Sequence, residues 1–166
     1  MPTKKEFLRF PVISHGAEYL VQGYLMRRNI LTYKAPPNNE GYDLICIHPD
    51  PRAKSKQIRV HVKSRYQTDS DRGFPVNEKS LDAFDYLIVV FLNVGYYYSS
   101  KKSTIDGERE PEFYTFPASF IRKHLNKSSS WQKVRTKGLD IDQYKNEQGY
   151  ELIAQDLGIR YPTRSR

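Results

Sequence analysis

The chain is poor in the residues that build disulfides and structural zinc sites. Its 166 residues include a single cysteine, Cys46, and neither a Cys-x-x-Cys motif nor paired-histidine spacing. A disulfide within the chain is therefore excluded, and no structural zinc site is indicated. A lone thiol in an apolar segment fits a reducing compartment, so we expect a cytoplasmic protein.

Long apolar runs are also missing. The longest, from Tyr86 to Leu92, is too short to span a membrane, and the first residues lack the apolar core of a signal peptide. We therefore expect no membrane partner. A chain of 166 residues without an internal repeat suits one domain with a real core.

Acidic residues are scarce relative to basic ones. The net charge is +8, and residues 52–65 and 117–137 contain no acid at all. Such segments favour a polyanionic partner such as nucleic acid, although a solvated basic face would look the same. Six basic residues are candidates for nucleic-acid contact: Lys54, Lys56, Arg59, Arg65, Arg122 and Lys123.

A pair of predicted strands brings three polar side chains together. Residues 43–48 and 57–63 read as strands, joined by the turn-forming residues 49–56. If the two strands form a hairpin that pairs position 43 with about position 63, then Asp43, His61 and Lys63 converge at one edge of the sheet. His61 and Lys63 share a face because side chains alternate along a strand.

The Pro49-Asp50 pair could be mistaken for the position of a catalytic aspartate. Seven strand residues at roughly 3.3 Å each would place Asp50 about 23 Å from Asp43. Asp50 is therefore interpreted as a turn residue.

An amphipathic helix precedes these strands. Ser14 is a plausible N-cap, and apolar residues at helical spacing carry the helix to about Arg28. Glu18 sits at the edge of the apolar stripe. A capping box would need the glutamate at position 17, so capping does not explain it. Glu18 either faces the site or is an ordinary helix-surface glutamate.

The order and spacing of these residues resemble the PD-(D/E)xK nuclease superfamily, especially small stand-alone members such as archaeal Holliday-junction resolvases. In that family a helix carries a glutamate, an aspartate begins the second core strand, and an acid or Gln, any residue and Lys end the third. Glu18, Asp43 and His61-Val62-Lys63 occupy these places. Residues 85–90 are similar to the next core strand, and residues 113–118 to the following strand-to-helix step.

The resemblance covers roughly residues 14–126. It implies an α/β, restriction-endonuclease-like fold with an αβββαβ core, in which helices flank a mixed central sheet. We expect one nuclease-like domain over residues 1–166, with its core at about 14–126 and a C-terminal connector and helix at 127–166. The implied activity is metal-dependent hydrolysis of DNA phosphodiester bonds by a deoxyribonuclease that uses Mg²⁺ or Mn²⁺.

Site roles follow from the same resemblance. Asp43 would hold the cation, with His61 and the carbonyl of Val62 as further ligands. Lys63 would orient or deprotonate the attacking water, and Glu18 would hold a second metal or a metal-bound water. Cutting two strands needs two sites, so a homodimer is a further expectation.

Two positions depart from the family pattern. Tyr42 replaces the name-giving proline, and His61 replaces the usual acid or glutamine. Imidazole is a poor ligand for Mg²⁺ and a better one for Mn²⁺. Either His61 binds a softer metal, or it does not bind, or the site is inactive. A catalytically inactive nucleic-acid-binding module and an assembly subunit are therefore the alternatives to a nuclease.

The remainder of the chain predicts further elements. We expect a helix at 77–84, a strand at 85–93, a strand at 112–116 and a basic helix from Pro117 to about Leu125. Residues 94–111 form either a loop that presents tyrosines or an extension of the strand. Residues 126–140 are a predicted connector. The last helix, which Gly158 stops, packs on the core or on a partner subunit.

Overall fold

A computed structural model describes residues 11–98, 105–128 and 130–161. The helices of these residues are α1 (Pro11–Arg27), α2 (Ala118–His124) and α3 (Asn146–Asp156). The strands are β1 (Leu31–Lys34), β2 (Leu44–Ile47), β3 (Ile58–Arg65), β4 (Phe74–Pro75), β5 (Tyr86–Phe91), β6 (Glu112–Pro117), β7 (Leu125–Asn126) and β8 (Lys133–Val134). None of the described helices combines the length and apolarity needed to cross a membrane.

The main sheet is mixed, as predicted. Its five strands lie in the order β1-β2-β3-β5-β6. The β1–β2, β2–β3 and β5–β6 pairs are antiparallel, whereas β3 and β5 run parallel. Leu44 lies opposite Val60, which puts Asp43 opposite His61, two residues from the predicted partner. In this order β3 is the central strand of the sheet.

One face of the sheet is covered by α1 and α3. Ile58 and Val60 of β3 are fully buried there, against Ala17, Val21 and Leu25 of α1. In α3, Tyr150, Ile153 and Ala154 belong to the same apolar cluster. The apolar stripe of the last helix is therefore used within the chain, packed on the core. Cys46 is buried in β2 as expected, and burial raises the pKa of its thiol to about 12.

The opposite face carries a second, smaller layer. β4, β8 and β7 form a three-stranded antiparallel sheet, and the apolar cluster beneath it includes Phe74, Phe84 and Phe116. The helix predicted at 77–84 was wrong, because only a single 3₁₀ turn, Glu78–Ser80, forms there. The predicted connector 126–140 contains β8. Two-residue strands are too short to show a hydrophobic period, so the sequence does not reveal them.

The ends of α1 and α3 can be compared with the start and stop residues that the sequence predicts. α1 already includes Pro11, so Ser14 lies within the helix and is not its N-cap. It ends before Asn29, whose φ of 66° breaks the helix and delays β1 to Leu31. Gly158, with φ of 72°, stops α3 as predicted.

The tyrosine-rich segment lies beyond the main sheet. β5 ends at Phe91, so the tyrosines at 96–98 do not extend it, and the Tyr97 and Tyr98 side chains are exposed. Val94 bridges Glu108 across the segment. This arrangement is the loop alternative for the described residues, and residues 99–104 lie outside the described part of the chain.

Candidate active site at the start of the second strand

Asp43 is the centre of the candidate site. It directly precedes β2, and its backbone N–H donates to the Val60 carbonyl at 2.9 Å. Its carboxylate oxygen Oδ2 accepts a hydrogen bond from the Val62 N–H at 2.7 Å. The pairing of β2 with β3 ends here, and the Asp43 side chain accepts the hydrogen bond that a main-chain carbonyl would accept if the pairing continued. Burial alone would raise the pKa of Asp43, but contacts with His61 and Val62 and the charge of Lys63 outweigh it and hold the pKa below its usual value.

His61 lies beside this carboxylate. Its Nδ1 is 3.2 Å from Asp43 Oδ2, and its ring stacks on Phe84 with the centroids 5.6 Å apart. The Nδ1–Oδ2 contact is at ion-pair distance and lowers the pKa of Asp43, but its angles are poor for a hydrogen bond, so Nδ1 is buried without a well-directed hydrogen bond among the described residues. A buried nitrogen of this kind is a candidate ligand atom.

Lys63 lies two residues further along the same face of β3. Burial lowers the pKa of its ammonium group below the usual value, and the nearby Asp43 charge only partly opposes that change. Lys63 also lines a cavity of about 460 Å³ between β3 and the small sheet. The structure thus brings Asp43, His61 and Lys63 together as the hairpin predicted, despite the shifted register.

Glu18 reaches the site from another direction. It shares a cavity of about 530 Å³ with Asp43, but its carboxylate is bound by Lys34 Nζ at 2.6 Å. His15 Nδ1 lies 3.9 Å from the same carboxylate. Glu18 is therefore a half-buried residue paired with Lys34, and not an exposed surface glutamate. Lys34 was not among the residues expected at the site, because no local signal distinguishes it from other strand lysines.

The donor atoms fit one cation better than two. The carboxylate of Asp43 and the orphaned Nδ1 of His61 supply one oxygen and one nitrogen, a set that suits Mn²⁺ better than Mg²⁺. The N–H and C=O of one strand residue point to the same side, so the Val62 carbonyl lies on the same edge of β3 as the N–H that binds Asp43. Among the described residues no group of three or more His, Cys, Asp and Glu side chains could hold a metal ion.

Most of the predicted nucleic-acid contacts are paired with acids elsewhere in the chain. Lys56 binds Asp156 at 2.7 Å, Arg65 binds Asp71 at 3.2 Å and Arg122 binds Asp82 at 2.6 Å. Arg59 is 4.0 Å from Asp85. Lys54 and Lys123 are exposed. The acid-free segments of the sequence are therefore not acid-free surfaces.

Asp50 and Asp85 accept hydrogen bonds from the backbone. Asp50 Oδ1 accepts from the Arg52 N–H at 3.0 Å, which makes it a turn residue as interpreted. Asp85 precedes β5, and its Oδ2 accepts from the Arg59 N–H at 2.8 Å. Neither residue joins the Asp43 site.

Two solved structures are similar to the chain. The chain resembles the solved structure of the bacterial homing endonuclease I-Ssp6803I with a TM-score of 0.53 and 14% identity, over 92% of this chain and 96% of the other. It also matches Hjc, a Holliday junction resolvase of Archaeoglobus fulgidus, with a TM-score of 0.46 and 10% identity, over 90% and 99% of the two chains.

No protein-family model matches the chain. No curated protein matches it either. The likeness to I-Ssp6803I and the mixed five-stranded sheet agree with the restriction-endonuclease-like fold that the sequence resemblance predicted. At this level of identity the similarity defines the fold, and the chemistry has to be judged from the site itself.

Proposed function

We propose that this protein is a metal-dependent endonuclease that hydrolyses DNA phosphodiester bonds. The observation that carries the proposal is the convergence of Asp43, His61 and Lys63 where β2 leaves β3 uncovered, with a buried, unsatisfied imidazole nitrogen 3.2 Å from a carboxylate oxygen. A carboxylate, a second ligand and a lysine at one point are the groups that phosphodiester hydrolysis with a cation requires.

Each residue has a defined task in this proposal. Asp43, His61 Nδ1 and the Val62 carbonyl hold the cation, which would polarise the phosphate and make bound water more acidic. Lys63 takes the proton from the attacking water and stabilises charge that develops on the phosphate. Its lowered pKa suits the role of a base. Glu18, once released by Lys34, would bind a second cation or its water.

DNA fits the charge of the molecule. The net charge of +8 attracts a polyanion, and Lys54 and Lys123 are exposed. Arg59, Arg65, Lys56 and Arg122 can exchange their surface acid partners for phosphates, because exposed ion pairs contribute little. A homodimer would supply a second site for the second strand, and the mass in solution tests it.

The first experiment is a cleavage assay. Supercoiled plasmid, linear duplex and branched DNA are incubated with the protein in EDTA, Mg²⁺ or Mn²⁺. Asp43→Ala and Lys63→Met are the test variants, and Asp50→Ala is the matched control because Asp50 only orders a turn. We expect metal-dependent cleavage by wild type and Asp50→Ala, and loss of about 10²-fold or more in Lys63→Met.

Each outcome has a clear meaning. Activity with Mn²⁺ and not with Mg²⁺ would point to His61 as a ligand. Cleavage that survives Asp43→Ala would exclude this site. DNA binding without cleavage under every metal would contradict the enzymatic proposal.

The second candidate is a DNA-binding module that has kept the fold and lost the chemistry. The ion pair between Glu18 and Lys34 at 2.6 Å favours it, since this carboxylate is occupied by a lysine. Calorimetric titration with Mn²⁺ separates the candidates. A nuclease should bind Mn²⁺ in a way that Asp43→Ala abolishes, whereas an inactive module should bind DNA equally well in both forms without Mn²⁺ binding at Asp43.

A further inference from the structure

The cavity beside Lys63 has an unusual wall. One side is formed by Trp131, the only tryptophan of the chain, and 70% of this residue is exposed. Large aromatic side chains are usually buried for most of their area. A single exposed aromatic residue can be incidental. The backbone contacts near Trp131 and the residues around its cavity therefore have to show whether it has a binding role.

The backbone around Trp131 is fixed. The Gln132 carbonyl accepts from the Val76 N–H at 3.2 Å, and its side-chain Oε1 accepts from the Glu78 N–H at 2.7 Å. The next residue, Lys133, pairs with Pro75 in the small sheet, and its ammonium group binds Asp71 at 2.5 Å. Trp131 is therefore presented from an anchored backbone and not from a loose loop.

The cavity joins this ring to the candidate catalytic lysine. Its volume of about 460 Å³ falls in the range of small-ligand sites, and Lys63, Asn77 and Gln132 add polar groups to the lining. A cation at one end suits a phosphate, and an aromatic face at the other suits a base. The two requirements together describe a nucleotide.

We propose that Trp131 stacks on an unpaired base of the DNA substrate next to the phosphate held near Lys63. In an intact duplex each base is stacked between its neighbours, so no face is open to an indole ring. The site therefore selects DNA with an unpaired nucleotide, as occurs at a flap, a gap or a branch point. This inference rests on the proposed function, because it assigns the substrate class of the same site.

The test uses the single tryptophan as its own probe. In EDTA, where cleavage is prevented, tryptophan fluorescence is recorded while single-stranded oligothymidylate or a blunt duplex of the same length is added. Stacking should quench the emission saturably with the single strand and not with the duplex. Equal quenching by both, or none by the single strand, would overturn the proposal.

Variants provide an independent readout. Binding of a labelled single strand, followed by anisotropy, should weaken about tenfold in Trp131→Ala and remain close to wild type in Trp131→Phe, because phenylalanine keeps a stacking face. Duplex affinity should not change. Tyr161→Ala is the matched control, since this exposed tyrosine lies against Arg28 at the end of α1. Unchanged single-strand affinity in Trp131→Ala would contradict the stacking role.

Failure of this inference is distinguishable from failure of the proposed function. Quenching without metal-dependent cleavage would support the base-binding site and contradict the nuclease activity. Cleavage without quenching would support the nuclease activity and contradict the base-binding site.

Discussion

The two faces of β3 differ in burial and polarity. On one face Ile58 and Val60 are completely buried against α1 and α3, in a continuous apolar cluster. On the other, Arg59 is exposed, while His61 and Lys63 are partly buried between the main sheet and the small sheet. The same strand thus closes the core on one side and carries polar groups on the other.

The difference shows what each layer contributes. The helical face is sealed by long elements that present whole apolar stripes. The other face is covered by strands of only two residues and a 3₁₀ turn, which leave a cavity beside Lys63. Partial cover produces the half-buried environment that lowers the pKa of Lys63 and leaves His61 Nδ1 unsatisfied.

The largest expected effect concerns the proton on Lys63. Because its pKa is lowered by burial, the neutral amine should become available, and kcat/KM should rise, at a pH below the usual lysine value of about 10.4. Lys63→Arg keeps the charge but cannot release a proton in this range. We expect it to lose about 10²- to 10⁴-fold in kcat/KM, together with the rising limb of the pH profile.

The measurement is kcat/KM for DNA cleavage as a function of pH at saturating metal. A Lys63→Arg variant with wild-type activity and an unchanged pH profile would show that Lys63 acts only through its charge.

The next effect concerns the sealed face. Ile58→Ala should lower the free energy of unfolding by about 2–5 kcal/mol, since it removes a fully buried side chain from a tightly packed cluster. Its neighbour Arg59 is exposed, so Arg59→Ala should change stability by no more than about 0.5 kcal/mol. Urea denaturation of both variants measures the difference. Similar losses in the two would mean that the faces do not differ as the burial indicates.

The smallest effect is the cost of keeping Lys63 charged. A lysine whose pKa is lower in the folded state than in the unfolded state destabilises the fold while it is protonated, and that cost disappears as pH rises towards its unfolded value. Lys63→Met should therefore have a higher free energy of unfolding than the wild type at neutral pH, by an amount towards the low end of about 0.5–2 kcal/mol. The difference should be smaller at alkaline pH. Thermal unfolding at both pH values checks this. A loss of stability at neutral pH would contradict it.

Much of the fold and part of the site could be predicted because their signals are local or periodic. The alternation of Ile58, Val60 and Val62 with Arg59, His61 and Lys63 fixes which side chains share a face, and the apolar spacing of α1 and α3 marks the sealing helices. The register was two residues off because turn composition limits the length of a hairpin loop only loosely.

The remainder could not be predicted because it depends on partners far apart in sequence. Lys34 pairs with Glu18 across a helix-to-strand contact. Asp71, Asp82 and Asp156 come from segments outside the basic stretches, yet they pair with lysines and arginines that looked unopposed. Charge counted along the chain therefore overstates the charge available to a polyanionic partner.

By itself the sequence determined the alternation of β3, the order of the site residues and the basic character of the protein, because these follow from the pleat of a strand and from composition. Only the tertiary structure decided that the Asp43 carboxylate bonds Val62 N–H, that His61 Nδ1 is left unsatisfied and that Trp131 lines the cavity of Lys63. These contacts arise where separate segments meet. Their geometry is set by packing between layers, which no single segment encodes.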